Sequence, residues 1–143
     1  MSASLDARAV TGLFHAYADA LDRRDWSALD GVFLEDVRAD YNGTEVVEGR
    51  AALVGMIRGY LDGCGPTQPL VGNERVVVEG DRATASVKMR VHHLGAAERA
   101  ELTYECFGWY HAELVRTGQG WRVASWRQEV THQLGTYEVF ARA

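Results

Sequence analysis

Two adjacent histidines, His92 and His93, close the run DRATASVKMRVHH at residues 81–93. Ahead of them Ala83, Ala85, Val87, Met89 and Val91 alternate with Thr84, Ser86, Lys88 and Arg90. This period of two predicts a strand with one buried face, and the same alternation turns His93 inward and His92 outward. An inward imidazole poised near neutral pH can take or give a proton, as proton transfer beside a carbonyl requires. The competing expectation is a core histidine satisfied by a backbone carbonyl. Two further groups have the side-chain types this chemistry uses. Asp22 stands near the end of a helical pattern, about a third of a turn off the centre of its apolar stripe. Its carboxylate can reach the rim of a core or pocket, or be a solvated helix-end acid. Tyr41 falls on the inward side of a short alternating run, and a buried phenol can polarise a carbonyl or hold a leaving oxygen.

Other reactive side chains suit chemistry less well. Cys106 belongs to an inward face, where a lone cysteine is expected to pack rather than attack. His15, His111 and His132 fall on flanking or outer faces, and Glu129 and His132, three apart on a strand, are expected on opposite faces. His92 and His93 diverge across the sheet and no HExxH or Cys/His cluster occurs, so no metal site is expected. No glycine-rich loop leads from a strand into a helix, and no cofactor is expected either.

The elements that must position these groups can be read in order. Val10, Leu13, Phe14, Tyr17 and Leu21 recur at helical spacing, with Ser4 as the expected N-cap and Asp6 in the first turn. Asp25 is expected to cap a short second helix through Trp26, Leu29, Val32 and Phe33. Val37, Ala39 and Tyr41 then form a short strand that ends at the Asn42-Gly43 turn. A third helix is expected over residues 50–62, with Leu53, Ile57, Tyr60 and Leu61 on one side and Gly63 as its C-terminal cap. From residue 68 onward the pattern is strand-like, four sequential antiparallel strands broken at Gly80-Asp81 and Gly118-Gln119-Gly120. In the third of them Leu102, Tyr104, Cys106, Gly108, Tyr110, Ala112 and Leu114 share the inward face, while Gly108 leaves room or permits a bend. The last strand carries aromatic and polar residues on both faces, and its phase stays open. Helices first and an antiparallel meander after them predict an α+β domain, its helices on one face of a strongly curved antiparallel sheet that forms a cone-shaped pocket.

The 143 residues suit a single domain, 1–143, long enough to bury a core without disulfide staples. A net charge of −5 with no dense Lys/Arg cluster argues against nucleic acid and against anionic membranes. Cys64 and Cys106 form no CxxC and are expected to be reduced. No signal-peptide pattern and no apolar run of membrane-spanning length is present, so a cytoplasmic location is expected. The sequon Asn42-Gly43-Thr44 is read as a turn.

Five blocks now taken in order, YADALDRRDWSALDGVF, ADY, GPTQPLVGN, VEGDRATA and ELVRTGQGWRVASW, resemble the SnoaL-like proteins of the nuclear-transport-factor-2-like superfamily. The scytalone dehydratase and bile-acid dehydratase branch is nearest. The resemblance implies a catalytic-type aspartate at Asp22, three residues before the Asp25-Trp26 pair, a pocket tyrosine at Tyr41 and a pocket histidine at His93. In scytalone dehydratase the corresponding aspartate supports the histidine, and tyrosines hold a water near the substrate carbonyl. Departures accompany it. Where the dehydratases carry a second catalytic histidine in a Thr-Gln-His block, this chain has Thr67-Gln68-Pro69. Leu21 replaces the tyrosine before the aspartate, for which Tyr17 partly compensates in the way the bile-acid branch does, and Tyr104 and Cys106 replace a polar Ser/Asn pair.

The expectation is therefore a cofactor-free enzyme of the lyase, isomerase or cyclase type. It would act on a small hydrophobic carbonyl or phenolic compound by His/Asp acid–base catalysis, in secondary (polyketide) or catabolic metabolism. His93, Asp22 and Tyr41 are expected to be catalytic, with Tyr17, Tyr104, Cys106 and Pro69 on substrate. Pro69 and Leu21 favour the alternative, a non-catalytic binding or assembly module of the same fold. Phe107, Trp109 and Val115 on the outward face of the long strand predict a homodimer through the sheet. Tyr137 and Phe140 cover either the pocket mouth or that partner.

Overall fold

The computed structural model describes residues 3–141. The first helix, α1 (Ala3–Arg23), buries Val10, Phe14 and Tyr17 and leaves Leu13 and Leu21 partly exposed. Ser4 lies inside its first turn and is not the N-cap, because the helix already includes Ala3. Asp6 is buried and accepts both terminal nitrogens of Arg116 at 2.9 Å, with the Trp121 indole N–H at 3.3 Å. The Arg116 guanidinium holds the Asp6 carboxyl down at about 2.

Trp26–Gly31 forms a 3-10 turn in place of the expected helix through Phe33, and Asp25 makes no side-chain cap to it. Its carboxylate instead accepts the Ser27 hydroxyl. Phe33 already opens β1 (Phe33–Tyr41), which hairpins through Asn42 (φ 58°) and Gly43 (φ 75°) into β2 (Glu45–Glu48). Positive φ at both central residues matches the twist of a two-stranded ribbon, so the Asn-Gly pair sets this turn. The short β2 had no separate signal in the sequence. After it comes α2 (Arg50–Leu61), burying Leu53, Ile57 and Leu61; Tyr60 is exposed and donates to Glu45, and Gly63 is not in the left-handed conformation of a cap.

The remaining strands are β3 (Cys64–Glu79), β4 (Arg82–Gly95), β5 (Thr103–Thr117) and β6 (Gly120–Gly135). One six-stranded sheet results, in the order β2-β1-β6-β5-β4-β3, with α1 and α2 on its inner face. The sheet is mixed rather than wholly antiparallel: β1 runs parallel to β6, because the helical segment between β2 and β3 carries the chain across to the far edge. As the alternation required, Ala83, Ala85, Val87, Met89, Val91 and His93 are buried along β4.

Two bulges explain the mixed pattern of β6. Glu113 pairs with Ser125 but Leu114 with Val123, leaving Ala124 extra, and Phe107 pairs with His132 but Gly108 with Val130, leaving Thr131 extra. Each extra residue reverses the phase, so Trp121 and Val123, then Trp126, turn inward despite the odd spacing. The second bulge also puts Glu129 and His132 on the same outer face, where Glu129 meets His111 and His132 stacks on Phe107. Gly108 sits beside it: a Cβ there would lie 1.8 Å from the Glu129 carbonyl oxygen. The glycine allows the strands to approach and so permits the bend. Phe14, Tyr17, Phe33 and Trp126 interlock beneath α1, with ring centroids 4.6–5.9 Å apart.

Candidate functional site

Between α1, α2 and the concave sheet lies a cavity of about 330 Å³. His93, Asp22, Tyr41, Tyr17, Tyr104, Cys106 and Pro69 all line it, so the fold brings to one cavity the seven residues expected to be catalytic or on substrate. Its apolar side is completed by Leu21, Ile57, Leu61 and Val91, and its polar side by Asn42, Gln128 and Gln133. Phe140 packs edge-on against His93 at 5.1 Å and Tyr60 at 5.3 Å, and Tyr137 against Tyr104 at 4.8 Å. The C-terminal turn Tyr137–Phe140 therefore closes on the cavity, and both aromatics line it.

His93 is 8% exposed, and its Nδ1 lies 3.0 Å from the carbonyl oxygen of Tyr104, the residue directly opposite on β5. A carbonyl can only accept, so Nδ1 carries the proton and Nε2 of the neutral ring keeps its lone pair. Nδ1 is the one ring nitrogen with a hydrogen-bond partner among the described residues. His93 is thus anchored by a backbone carbonyl, as expected of a core histidine, and it also lines the cavity. Burial pushes its pKa below the ordinary imidazole value, the Tyr104 carbonyl opposing and the charges of His92 and Arg24 adding to the effect. The neutral, proton-accepting form is favoured at pH 7.

Asp22 does not hydrogen-bond to His93. Its Oδ1 accepts the Thr67 hydroxyl at 2.6 Å, and Thr67 pairs with His93 across β3 and β4. The orienting role expected of Asp22 is taken by the Tyr104 carbonyl, and the aspartate stands as a separate group at the cavity wall. Burial raises its carboxyl pKa, with Thr67 and Arg24 pulling the other way. Arg24 gave no signal in the sequence, since a single arginine after a helix is ordinary; only its contacts with Leu21, Gly65 and Thr67 reveal it.

The Tyr17 and Tyr41 hydroxyls share a 2.7 Å hydrogen bond on the aromatic floor. Burial raises both phenols, so each stays protonated. One proton serves the shared bond and the other is available to a ligand oxygen. Tyr104 donates to Gln133 at 2.7 Å, fixing an amide at the cavity edge. The Cys106 thiol is pushed up to about 11 by burial, so it packs as a neutral side chain. Pro69 stands opposite Val91 inside the β3–β4 ladder, with β3 at the sheet edge, as a residue lacking an N–H demands. Among the described residues no group of three or more His, Cys, Asp or Glu is placed to hold a metal, and no helix is long and apolar enough to cross a membrane.

A family model described as SnoaL-like domain matches residues 2–127. An uncharacterized protein of Mycobacterium tuberculosis, Rv2910c, is 32% identical over 108 residues, 75% of this chain and 73% of the relative. Among solved structures, the Kfla4162 protein of Kribbella flavida superposes with a TM-score of 0.88 at 23% identity, over 96% of this chain and 98% of that one. A protein of Novosphingobium aromaticivorans, provisionally named scytalone dehydratase, superposes with a TM-score of 0.83 at 20% identity, over 92% and 88% of the two chains. At these identities the likeness to solved structures is one of fold.

Proposed function

The chain belongs to the SnoaL-like domain family, and from that premise we propose that it is a cofactor-free lyase, isomerase or cyclase acting on a small, mostly apolar carbonyl or phenolic compound. The observation that carries this reading is His93: an imidazole tied at Nδ1 to a carbonyl, which leaves Nε2 as its basic nitrogen, in the wall of a cavity also lined by Asp22 and the Tyr17–Tyr41 pair.

The common step is abstraction of a proton beside a carbonyl. His93 Nε2 takes the proton, the C–H electrons form an enolate, and the free tyrosine O–H donates to its oxygen. In a dehydration the enolate then collapses, the β C–O bond breaks, and the leaving hydroxyl departs as water with a proton from Asp22, whose carboxyl is shifted by burial toward the protonated form. Return of the proton to another carbon gives isomerisation, and attack of the enolate on an internal carbonyl gives ring closure. Asp22 fills the place of the second proton-transfer group that Pro69 removes. Support for elimination comes from the fold shared with the provisionally named scytalone dehydratase.

The test is NMR titration of the His93 ring with and without a panel of small cyclic β-hydroxyketones, followed by turnover assays on those that bind. A reacting His93 responds to ligand, and His93→Gln then loses about 10²–10⁴-fold in turnover. Ligand that shifts His93 without ever being converted by the wild type supports the second reading, a binding module, which the carbonyl-anchored imidazole also fits.

A further inference from the structure

Arg24 occupies a backbone position where glycine would cost less. The amide of Asp25 reaches back to Ala20 O at 2.9 Å and that of Arg24 to Leu21 O at 3.1 Å, the paired bonds of a helix C-terminus that ends in a left-handed residue. That residue is Arg24, with φ 55°. A side chain in this conformation carries about 1–2 kcal/mol of strain that glycine avoids. Such an outlier directs attention to what the side chain does.

The guanidinium folds back toward the cavity wall. Its Nη1 donates to Leu21 O at 2.7 Å and to Thr67 Oγ1 at 3.1 Å, and its Nη2 donates to Gly65 O at 2.7 Å. Thr67 Oγ1 in turn donates to Asp22 Oδ1 at 2.6 Å. A threonine hydroxyl has one proton; with arginine, which can only donate, on its oxygen, that proton is committed to Asp22. Asp22 Oδ1 is thereby held, while Oδ2 has no hydrogen bond among the described residues and the side chain lines the cavity.

We propose that Arg24 is a positioning residue for Asp22, acting through the Thr67 hydroxyl, so that one carboxylate oxygen is tied down and the other is presented to substrate. The role rests on the reading of Asp22 as a proton-transfer group. The relay joins the end of α1 to β3 opposite His93, and so sets the distance between the two acid–base groups. Other groups act on Asp22 as well: Asp19 on its own helix disfavours the charged carboxylate, and Tyr110 on β5 is close enough to feel it.

The experiment is a titration of the Asp22 carboxyl carbon by NMR in the full chain and in R24G, T67V, T67S and the R24G/T67V double variant. Arg24 and Thr67 both favour the carboxylate, so R24G and T67V should each move the Asp22 midpoint to higher pH. The double variant should move it by less than the sum, since coupled groups are non-additive. T67S, which keeps the hydroxyl, should match the wild type. An Asp22 midpoint unchanged in R24G, or shifts that add fully, would overturn the relay. R24G relieves backbone strain and is expected to fold, and T67V against T67S gives the same comparison without touching the helix end. Since the titration needs no substrate, an active His93→Gln protein would sink the reading of His93 as the base, whereas only an unshifted or fully additive Asp22 midpoint would sink the relay from Arg24 through Thr67.

Discussion

At the scale of single residues, His93 shows how one contact assigns chemistry. Its depressed pKa means that the ring protonates only below the ordinary imidazole range. Activity that depends on Nε2 should therefore fall on acidic titration with a midpoint below the ordinary imidazole value, which a pH–rate profile would read. His92, whose Nδ1 sits 2.9 Å from Glu105 on the outer face, should be nearly silent as His92→Gln. Asp22 has the opposite shift, and its sign gives a stability prediction. A carboxyl whose folded pKa is raised above its unfolded value loses stability as pH rises through that window. Asp22→Asn, which mimics the protonated form and can still accept from Thr67, should melt at a higher temperature than the wild type at pH 7–8. The gain should vanish below the unfolded carboxylate value of about 4. Equal melting at pH 8 would count against an Asp22 whose charge the fold disfavours. Pro69→His, which introduces the ring that the dehydratases carry there, is expected to leave native turnover no higher in a turnover assay, since on the proposed mechanism Asp22 supplies the second group.

Elements hold these residues through a few contacts whose removal has calculable direction. The bulge at Thr131 bends β6 around the cavity and depends on the close approach that Gly108 allows. Gly108→Ala forces a methyl group into backbone and should destabilise by about 3 kcal/mol, the upper end of overpacking costs, measured by urea denaturation. Little change there would show that the strands can separate at no cost. At the other end of the fold, Asp6 ties α1 to β5 through Arg116. Its pKa is depressed, so its contribution to stability is present above about 3.9 and is lost as pH falls through about 2. Asp6→Asn should lower the melting temperature at pH 7 and converge on the wild type in strong acid. Such a loss would loosen α1, which carries Tyr17 and Asp22.

For the whole molecule, the outer face of the sheet raises the question of association. Phe107 stacks on His132 at 4.3 Å, and Arg75 and Lys88 lie over Trp109 at 5.6 and 5.5 Å. His111 is held between Ser86 at 2.7 Å and Glu129 at 2.8 Å. This surface alternates aromatic and charged groups, with cations already seated on the rings, and offers both hydrophobic area and fixed polar partners. Sedimentation at micromolar concentration is expected to show a homodimer, and Trp109→Glu a monomer; a wild-type monomer would reject that assembly. Tyr137 and Phe140 are not part of that surface, because they pack on His93, Tyr104 and Tyr60 at the cavity.

What the sequence determined by itself was whatever depends on local period. Alternation along residues 81–93 turned His93 inward, helical spacing placed Tyr17 and Asp22 near one end of α1, and Asn42-Gly43 marked its hairpin. These follow because side-chain direction repeats every 3.6 or 2 residues whatever the rest of the chain does. Tertiary structure decided what depends on pairing between distant strands. The parallel β1–β6 contact, the two bulges that set the phase of the last strand, and the Tyr104 carbonyl beside His93 are properties of register between strands. So is the relay from Arg24 through Thr67 to Asp22, which joins positions more than forty residues apart. No periodicity encodes such contacts, because they arise only when the sheet curls and brings the end of α1 against the beginning of β3.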